Sequence, residues 1–350
     1  MNNIANDSPK PNRRIRYKGT HPRYFEEKYK ELNFEKYIPD MQKIIESGKT
    51  PAGTHRPVCV NEILAILKPS PGQIGLDATL GFGGHTIELL KKITPGGQLF
   101  GLEIDSLELA RTEKRLQSLG FSDKELVTKC INFAGMFKLL HEAGGGFDFV
   151  LADLGMSSMQ LDNPKRGFTF KHEGPLDLRF NPKRGQSAES LIKTLSEEQL
   201  EKIFIDNSDE PYAWLIAQAI FKNKNKINTT TELANIVAYT LGHESYLDCG
   251  KKTTDSIRRI FQALRIEVNN EFSVLEQFLR NLPFCLKSQG RVAILSFHSG
   301  EHKRIVNFFN KDLDAGLYSD ISYEPLRPSA KEQYSNPRSK SAFLYWAIKK

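Results

Sequence analysis

Cysteine is scarce and scattered. The four thiols, Cys59, Cys130, Cys249 and Cys285, form no C-x-x-C pair. That spacing excludes the usual zinc frameworks, so no metal is expected, and it fits reduced thiols in a reducing compartment, the cytoplasm. No apolar run approaches the roughly 18–20 residues of a membrane span. The amino-terminal stretch MNNIANDSPKPNRRIRYKG lacks the apolar region of a secretory signal. Also missing are G-K-[ST], the phosphate-cradling lysine motif, and a third glycine to complete G-x-G-x-x-G.

The composition present is that of a soluble globular protein, 39% apolar and 26% charged, long enough at 350 residues for one large interrupted domain or two. A net charge of +7 favours a polyanionic partner. The charge is uneven, with six Lys or Arg and one acid in residues 1–25. That arm reads equally as a solvated tail or as a nucleic-acid contact.

From Pro57 the pattern becomes regular. A helix is predicted near Val58–Leu67, then strands at Ile74–Ala78, Gln98–Ile104, Val127–Ile131 and Phe147–Asp153. Helices at His85–Lys92, Ser106–Leu116 and Met136–His141 separate them. Such alternation means βαβ units and a parallel sheet. Residues 187–282 read as helices, with capping-box spacing at Ser196/Gln199 and Thr229/Glu232. Strand signals return at Arg291–Phe297, weakly at Ile321–Tyr323, and at Ala342–Ile348. The organisation predicted is a basic extension over 1–50, an α/β core over 51–162 and 284–350, and a helical insertion over 163–283.

The chemical signal lies at the strand ends. DATLGFGGH places Asp77 and then Gly81, Gly83 and Gly84 before a helix that opens at His85. Glycines there let backbone amides approach a ligand from a helix amino terminus. Glu103 ends the second strand 19 residues past Gly84, where a carboxylate accepts from a ribose diol. Asp153 ends the fourth strand in FVLADLGMSS. Asp77 and Asp153 would repel a pyrophosphate and suit a cationic amino-acid tail or sulfonium. S-adenosylmethionine meets that description.

In these residues the sequence resembles the RsmH (MraW) family of S-adenosylmethionine-dependent small-subunit ribosomal RNA methyltransferases. The resemblance runs from about His55 to Phe343, through HRPV, DATLGFGGH, DLGMSSMQLD, RGFTF, GPLDLR, RGQSA, RIFQALRIEVN, SFHS and NPRSKSA. It implies a seven-stranded, Rossmann-like class I methyltransferase sheet with an all-helical insertion, and methylation of a cytosine N4 amine in the decoding region. It also implies that Gly83, Gly84, His85, Glu103, Phe133, Asp153 and Gln160 contact the donor. Glu103 stands where the family usually has Asp, and Gly300, His302 and Lys303 depart from the family's L-E-D-R after SFHS.

The chemistry then suggests roles. Asp153 with the Leu154 carbonyl would orient the amine, with Ser157 assisting. His298 would contact the base or relay its proton, or else hold a loop. The cytosine must be flipped out to be reached. Phe168 and Phe170 are candidates to stack on a base or to pack the insertion. Arg179, Arg259 and Arg265 are candidates to clamp phosphates or to form internal ion pairs. The partner expected is small-subunit RNA or the small subunit itself; no interface stripe decides between a monomer and a homodimer. Other readings are a paralogue acting on a different RNA cytosine, a weakly catalytic RNA-binding assembly factor, a dehydrogenase disfavoured by the missing glycine, and a DNA amine methyltransferase opposed by the absent D-P-P-Y.

Overall fold

A computed structural model describes residues 57–350. The basic arm and the helical pattern at 23–48 lie outside the described residues. Seven strands form one sheet: β1 (Ile74–Asp77), β2 (Gln98–Leu102), β3 (Leu126–Lys129), β4 (Phe147–Asp153), β5 (Leu286–Ser296), β6 (Tyr318–Ile321) and β7 (Phe343–Lys349). Their order is β3-β2-β1-β4-β5-β7-β6. The first five run parallel, and β7 is antiparallel to both β5 and β6. The chain therefore reverses its direction of winding between β1 and β4. Ligands of such sheets bind beyond the strand carboxyl ends at that point.

Helices cover both faces, which is why the central strands are apolar throughout rather than alternating. Along β4, Phe149 and Leu151 face one core, shared with Ile63, Leu89, Leu90 and Ile93. Phe147, Val150 and Ala152 face the other, with Phe278, Leu279 and Phe309. Three covering helices are α1 (Val60–Leu67), α2 (Gly84–Ile93) and α3 (Ser106–Ser118). Asp105 caps α3 by accepting from the Leu107 amide at 3.0 Å.

After β4 come a short helix, α4 (Ser158–Asp162), and then five helices: α5 (Ala188–Thr194), α6 (Glu197–Ser208), α7 (Ala213–Asn223), α8 (Thr230–Thr240) and α9 (Lys251–Asn269). The capping boxes predicted at Ser196/Gln199 and Thr229/Glu232 start α6 and α8. These five helices enclose their own core around Phe204, Ile216, Ile220, Val237, Ile257, Ile260 and Leu264.

Asn270 turns the chain in a left-handed conformation (φ 51°), and α10 (Glu271–Cys285) packs Leu275, Phe278, Leu279 and Leu282 on the sheet. Residues 271–285, read from sequence as part of the insertion, thus lend their apolar face to the sheet core, because apolar periodicity marks a buried face without saying which core receives it. Strand β6 begins earlier than the weak signal at Ile321–Tyr323 suggested. The chain closes its remaining elements with α11 (Ser299–Asp314) and α12 (Ala330–Ser335).

Phe278→Ala tests the reassignment of α10. Removing this fully buried ring should destabilise the sheet core by about 3–5 kcal/mol. It should also weaken donor binding, since Phe278 supports Phe133 edge-on at 5.2 Å. Denaturant unfolding followed by donor titration measures both.

Candidate active site

The turn after β1 is held from behind. Gly83 precedes α2 with φ 70°, a left-handed conformation that favours glycine. Asp77, 1% exposed, accepts from the Thr79 amide at 3.1 Å and from the Thr86 hydroxyl at 2.6 Å. Burial pushes its carboxyl up, and these bonds partly offset that. Neither Asp77 nor Gly83 lines the cavity beyond the strands, whereas Gly81, Gly84 and His85 do. Asp77 and Gly83, expected from sequence to contact the donor, shape the turn in this structure. Both Asp77 oxygens already accept from local donors, Oδ1 from the Thr79 amide and Oδ2 from the Thr86 hydroxyl.

The cavity, about 500 Å³, opens at the carboxyl ends of β1, β2 and β4 and continues toward β5. At one end Glu103 accepts from the Gly81 amide at 3.1 Å and the Asp105 amide at 2.9 Å. Burial, with repulsion from Asp105 and Glu108, raises its carboxyl to about 7 despite those amides. Phe133, Ile104 and Ile131 supply apolar walls beside it. This half offers acceptors to a diol and flat contact to a purine.

Asp153 lies further along. Its backbone amide donates to the Thr79 hydroxyl at 2.6 Å, fixing the strand tip. One carboxylate oxygen, Oδ1, is buried without a hydrogen-bond partner. The other lies 3.6 Å from His85 Nδ1. His85 Nε2 sits 2.9 Å from the Val58 carbonyl, which only accepts, so the proton is on Nε2. Burial raises Asp153 to about 6, with His85 opposing and Asp77 and Glu301 adding to the rise.

Gln160 and Ser157 belong to the start of α4. The Ser157 amide donates to Gln160 Oε1, and the Gln160 amide donates to Ser157 Oγ, both at 3.2 Å. Gln160 Nε2 in turn donates to Asp105 Oδ2 at 3.3 Å. Arg166 donates to the same oxygen at 2.5 Å, and to the Arg179 and Phe180 carbonyls at 3.1 and 2.8 Å. Asp105, fully buried, thereby ties the donor end to the rim of the helical insertion. Ser157 lines the cavity, but its hydroxyl oxygen is engaged in this local cap.

The far end holds His298, Glu301, Arg265, Glu271, Phe180 and Phe272. His298 Nε2 approaches Glu301 Oε1 at 3.2 Å, without the alignment of a hydrogen bond. Burial pushes the Glu301 carboxyl up, but His298, the Phe297 amide and Arg265 outweigh it, and the net shift is down. Arg265 is bidentate on Glu271, at 2.7 and 3.0 Å. Glu271, His298 and Glu301 bring ligand atoms within 4.8 Å of one another, yet the Arg265 guanidinium already engages both Glu271 oxygens.

The other substrate contacts expected from sequence lie elsewhere. Arg179 pairs with Asp177 at 2.7 Å, and Arg259 pairs with buried Glu210 at 2.6 Å. Phe168 is 6% exposed and stacks against Phe180 inside the insertion, while Phe170 packs on Phe261 and Tyr246. None of these four lines the cavity. Their charges and rings were legible, but not the partners the fold gives them. Sequence reasoning missed Glu301, Glu271, Phe272 and the Asp105–Arg166 pair for the same reason.

A parallel sheet with a reversed seventh strand, carrying Glu103 and Asp153 at strand ends in one cleft, is the fold of a class I methyltransferase. The family model described as the MraW methylase family matches residues 52–350, and the chain belongs to that family. Ribosomal RNA small subunit methyltransferase H 1 of Lachnoclostridium phytofermentans is 50% identical, over 98% of this chain and 94% of its own. Ribosomal RNA small subunit methyltransferase H 2 of Alkaliphilus metalliredigens is 49% identical, over 99% of this chain and 100% of its own.

Arg166→Ala should strand the buried Asp105 charge and cost about 3 kcal/mol, as broken buried pairs do. Donor affinity should fall with it, because Gln160 loses its anchored partner. Thermal unfolding with and without donor measures the two effects.

Proposed function

We propose that this chain transfers the methyl group of S-adenosylmethionine to the N4 amine of a cytosine in small-subunit ribosomal RNA. The observation that carries the reading is the unpartnered Oδ1 of Asp153, buried in one cavity with Glu103 and with the His298–Glu301 pair. When bound, the donor supplies an electrophilic methyl on a positively charged sulfur.

The residues of this chain do the rest. Glu103 accepts the ribose hydroxyls with lone pairs left by its two backbone donors, and Phe133 lies against the adenine. Gly84, His85 and Gln160 complete the donor seat. The cytosine amine is a poor nucleophile because its lone pair is delocalised into the ring. Asp153 and the Leu154 carbonyl accept its hydrogens and hold its nitrogen in line with the methyl, so that orientation supplies most of the acceleration. His298 takes the proton the amine sheds, and Glu301, kept ionised, stabilises the resulting imidazolium.

The substrate places this work in the cytoplasm. Among the described residues no helix is long and apolar enough to cross a membrane.

Asp153→Ala should lower turnover at least about 100-fold while leaving the fold intact, scored by labelled-donor transfer and mass mapping of the RNA. Near-normal turnover would remove Asp153 from the mechanism. Transfer to another position would keep the chemistry and change the substrate.

A pH signature follows from burial. Asp153 and Glu103 are raised from 3.8 and 4.5 to about 6 and about 7 in the free protein. Ionising them favours the unfolded chain, so the free protein loses stability as pH rises from about 4 to 7. A cation and hydroxyl donors favour their ionised forms. Donor affinity should therefore rise with pH across about 5–8, with protons released on binding. Calorimetry in buffers of different ionisation enthalpy detects that release; binding without it contradicts the assignment.

A further inference from the structure

We propose that Phe272 is the wall on which the target base stacks, in a seat that exists because residue 300 is glycine. The inference rests on the reading of a flipped cytosine and names the residue that receives it. Phe272, in the first turn of α10, lines the far end of the cavity beside His298, with ring centroids 5.8 Å apart. A Cβ built on Gly300 would fall 2.4 Å from Phe272 Cζ and 2.9 Å from Cε1. Gly300 has no positive φ to explain its lack of a side chain, and the ring occupies the space where one would stand.

The ring is also backed. The Arg304 guanidinium lies over it, 3.6 Å from the centroid. Arg304 is fixed there by Glu276, at 3.0 Å, and by the Gly300 carbonyl, also at 3.0 Å. A flat aromatic held from behind by a cation, and bordering the cavity, is a platform a base can stack on without sequence preference. Base identity would then be read by the polar groups next to it: Asp153, His298 and Glu301. Phe168 and Phe170, candidates from sequence to stack on a base or to pack the insertion, both pack within the insertion.

The test compares the full chain with Phe272→Ala, Phe272→Leu, Gly300→Leu and the double variant Phe272→Ala/Gly300→Leu. Donor affinity is measured first on each, and unchanged values show that the fold survives. The Michaelis constant for small-subunit RNA should rise roughly 5- to 150-fold in Phe272→Ala, the range of a lost base–aromatic stack. Phe272→Leu should show most of that loss, since apolar bulk is kept and the ring face is not.

Gly300→Leu should raise the constant too, by displacing the ring. The double variant should be no worse than Phe272→Ala alone, the mark of two residues acting through one contact. An RNA carrying fluorescent pyrrolocytosine at the methylated position should be quenched by the wild type and not by Phe272→Leu. Additive losses in the double variant, or unaltered quenching and Michaelis constant in Phe272→Leu, would overturn the assignment of Phe272 while wild-type turnover stands. Absence of any RNA cytosine methylation by the wild type would instead overturn the functional reading beneath it.

Discussion

A buried carboxylate with an unused oxygen is an unfavourable thing to fold around. Asp153 Oδ1 has no hydrogen-bond partner in the protein, and leaving such a buried acceptor unpaired costs about 1–3 kcal/mol or more for a charged group. The sheet tolerates this because the strand tip is fixed independently, through the Thr79 hydroxyl and the pairing of β4 with β1 and β5. Burial raises the carboxyl to about 6, so the free protein relieves the cost by holding a proton to higher pH than an ordinary aspartate does. A positively charged ligand or an amine can take that proton's place. The rest of the site is arranged around that exchange.

Two consequences bear on how the halves of the cavity work together. Glu103 and Asp153 sit on strands either side of β1, so a donor spanning them lies across the glycine turn that Asp77 and Thr86 hold. Asp105 connects the same turn region to Arg166 and, through the Arg179 and Phe180 carbonyls, to the rim of the insertion. Donor and acceptor ends thus share one buried ion pair. Breaking it perturbs both, although neither Asp105 nor Arg166 lines the cavity.

Much of the architecture was legible because local physics wrote it. The strand runs of β1 to β4, the glycine turn and both capping boxes depend on neighbours within a few residues. What could not be read depends on which partner the fold assigns to each side chain. Asp77 and Asp153 look alike in sequence, each an acid ending an apolar strand. Two threonines engage both oxygens of Asp77, while Asp153 Oδ1 has no protein partner, and only folding separates them. Arg179 and Arg259 carried the right charge for RNA, but Asp177 and Glu210 had already neutralised it. Phe168 and Phe170 went to the insertion core, and the ring bordering the cavity is Phe272, on a helix whose periodicity suggested membership in the insertion. The departure at Gly300 was visible; its meaning required seeing which ring fills the space.

The central claim is that Asp153 keeps its proton up to about pH 6 in the free protein and that a cationic donor displaces it. Carbon-13 NMR of the Asp153 carboxyl, with and without S-adenosylmethionine, tests it directly. The account predicts a titration near 6 in the free protein that moves well below 5 when the donor is bound. A carboxyl that titrates at its ordinary value in the free protein, or does not move on binding, would contradict it.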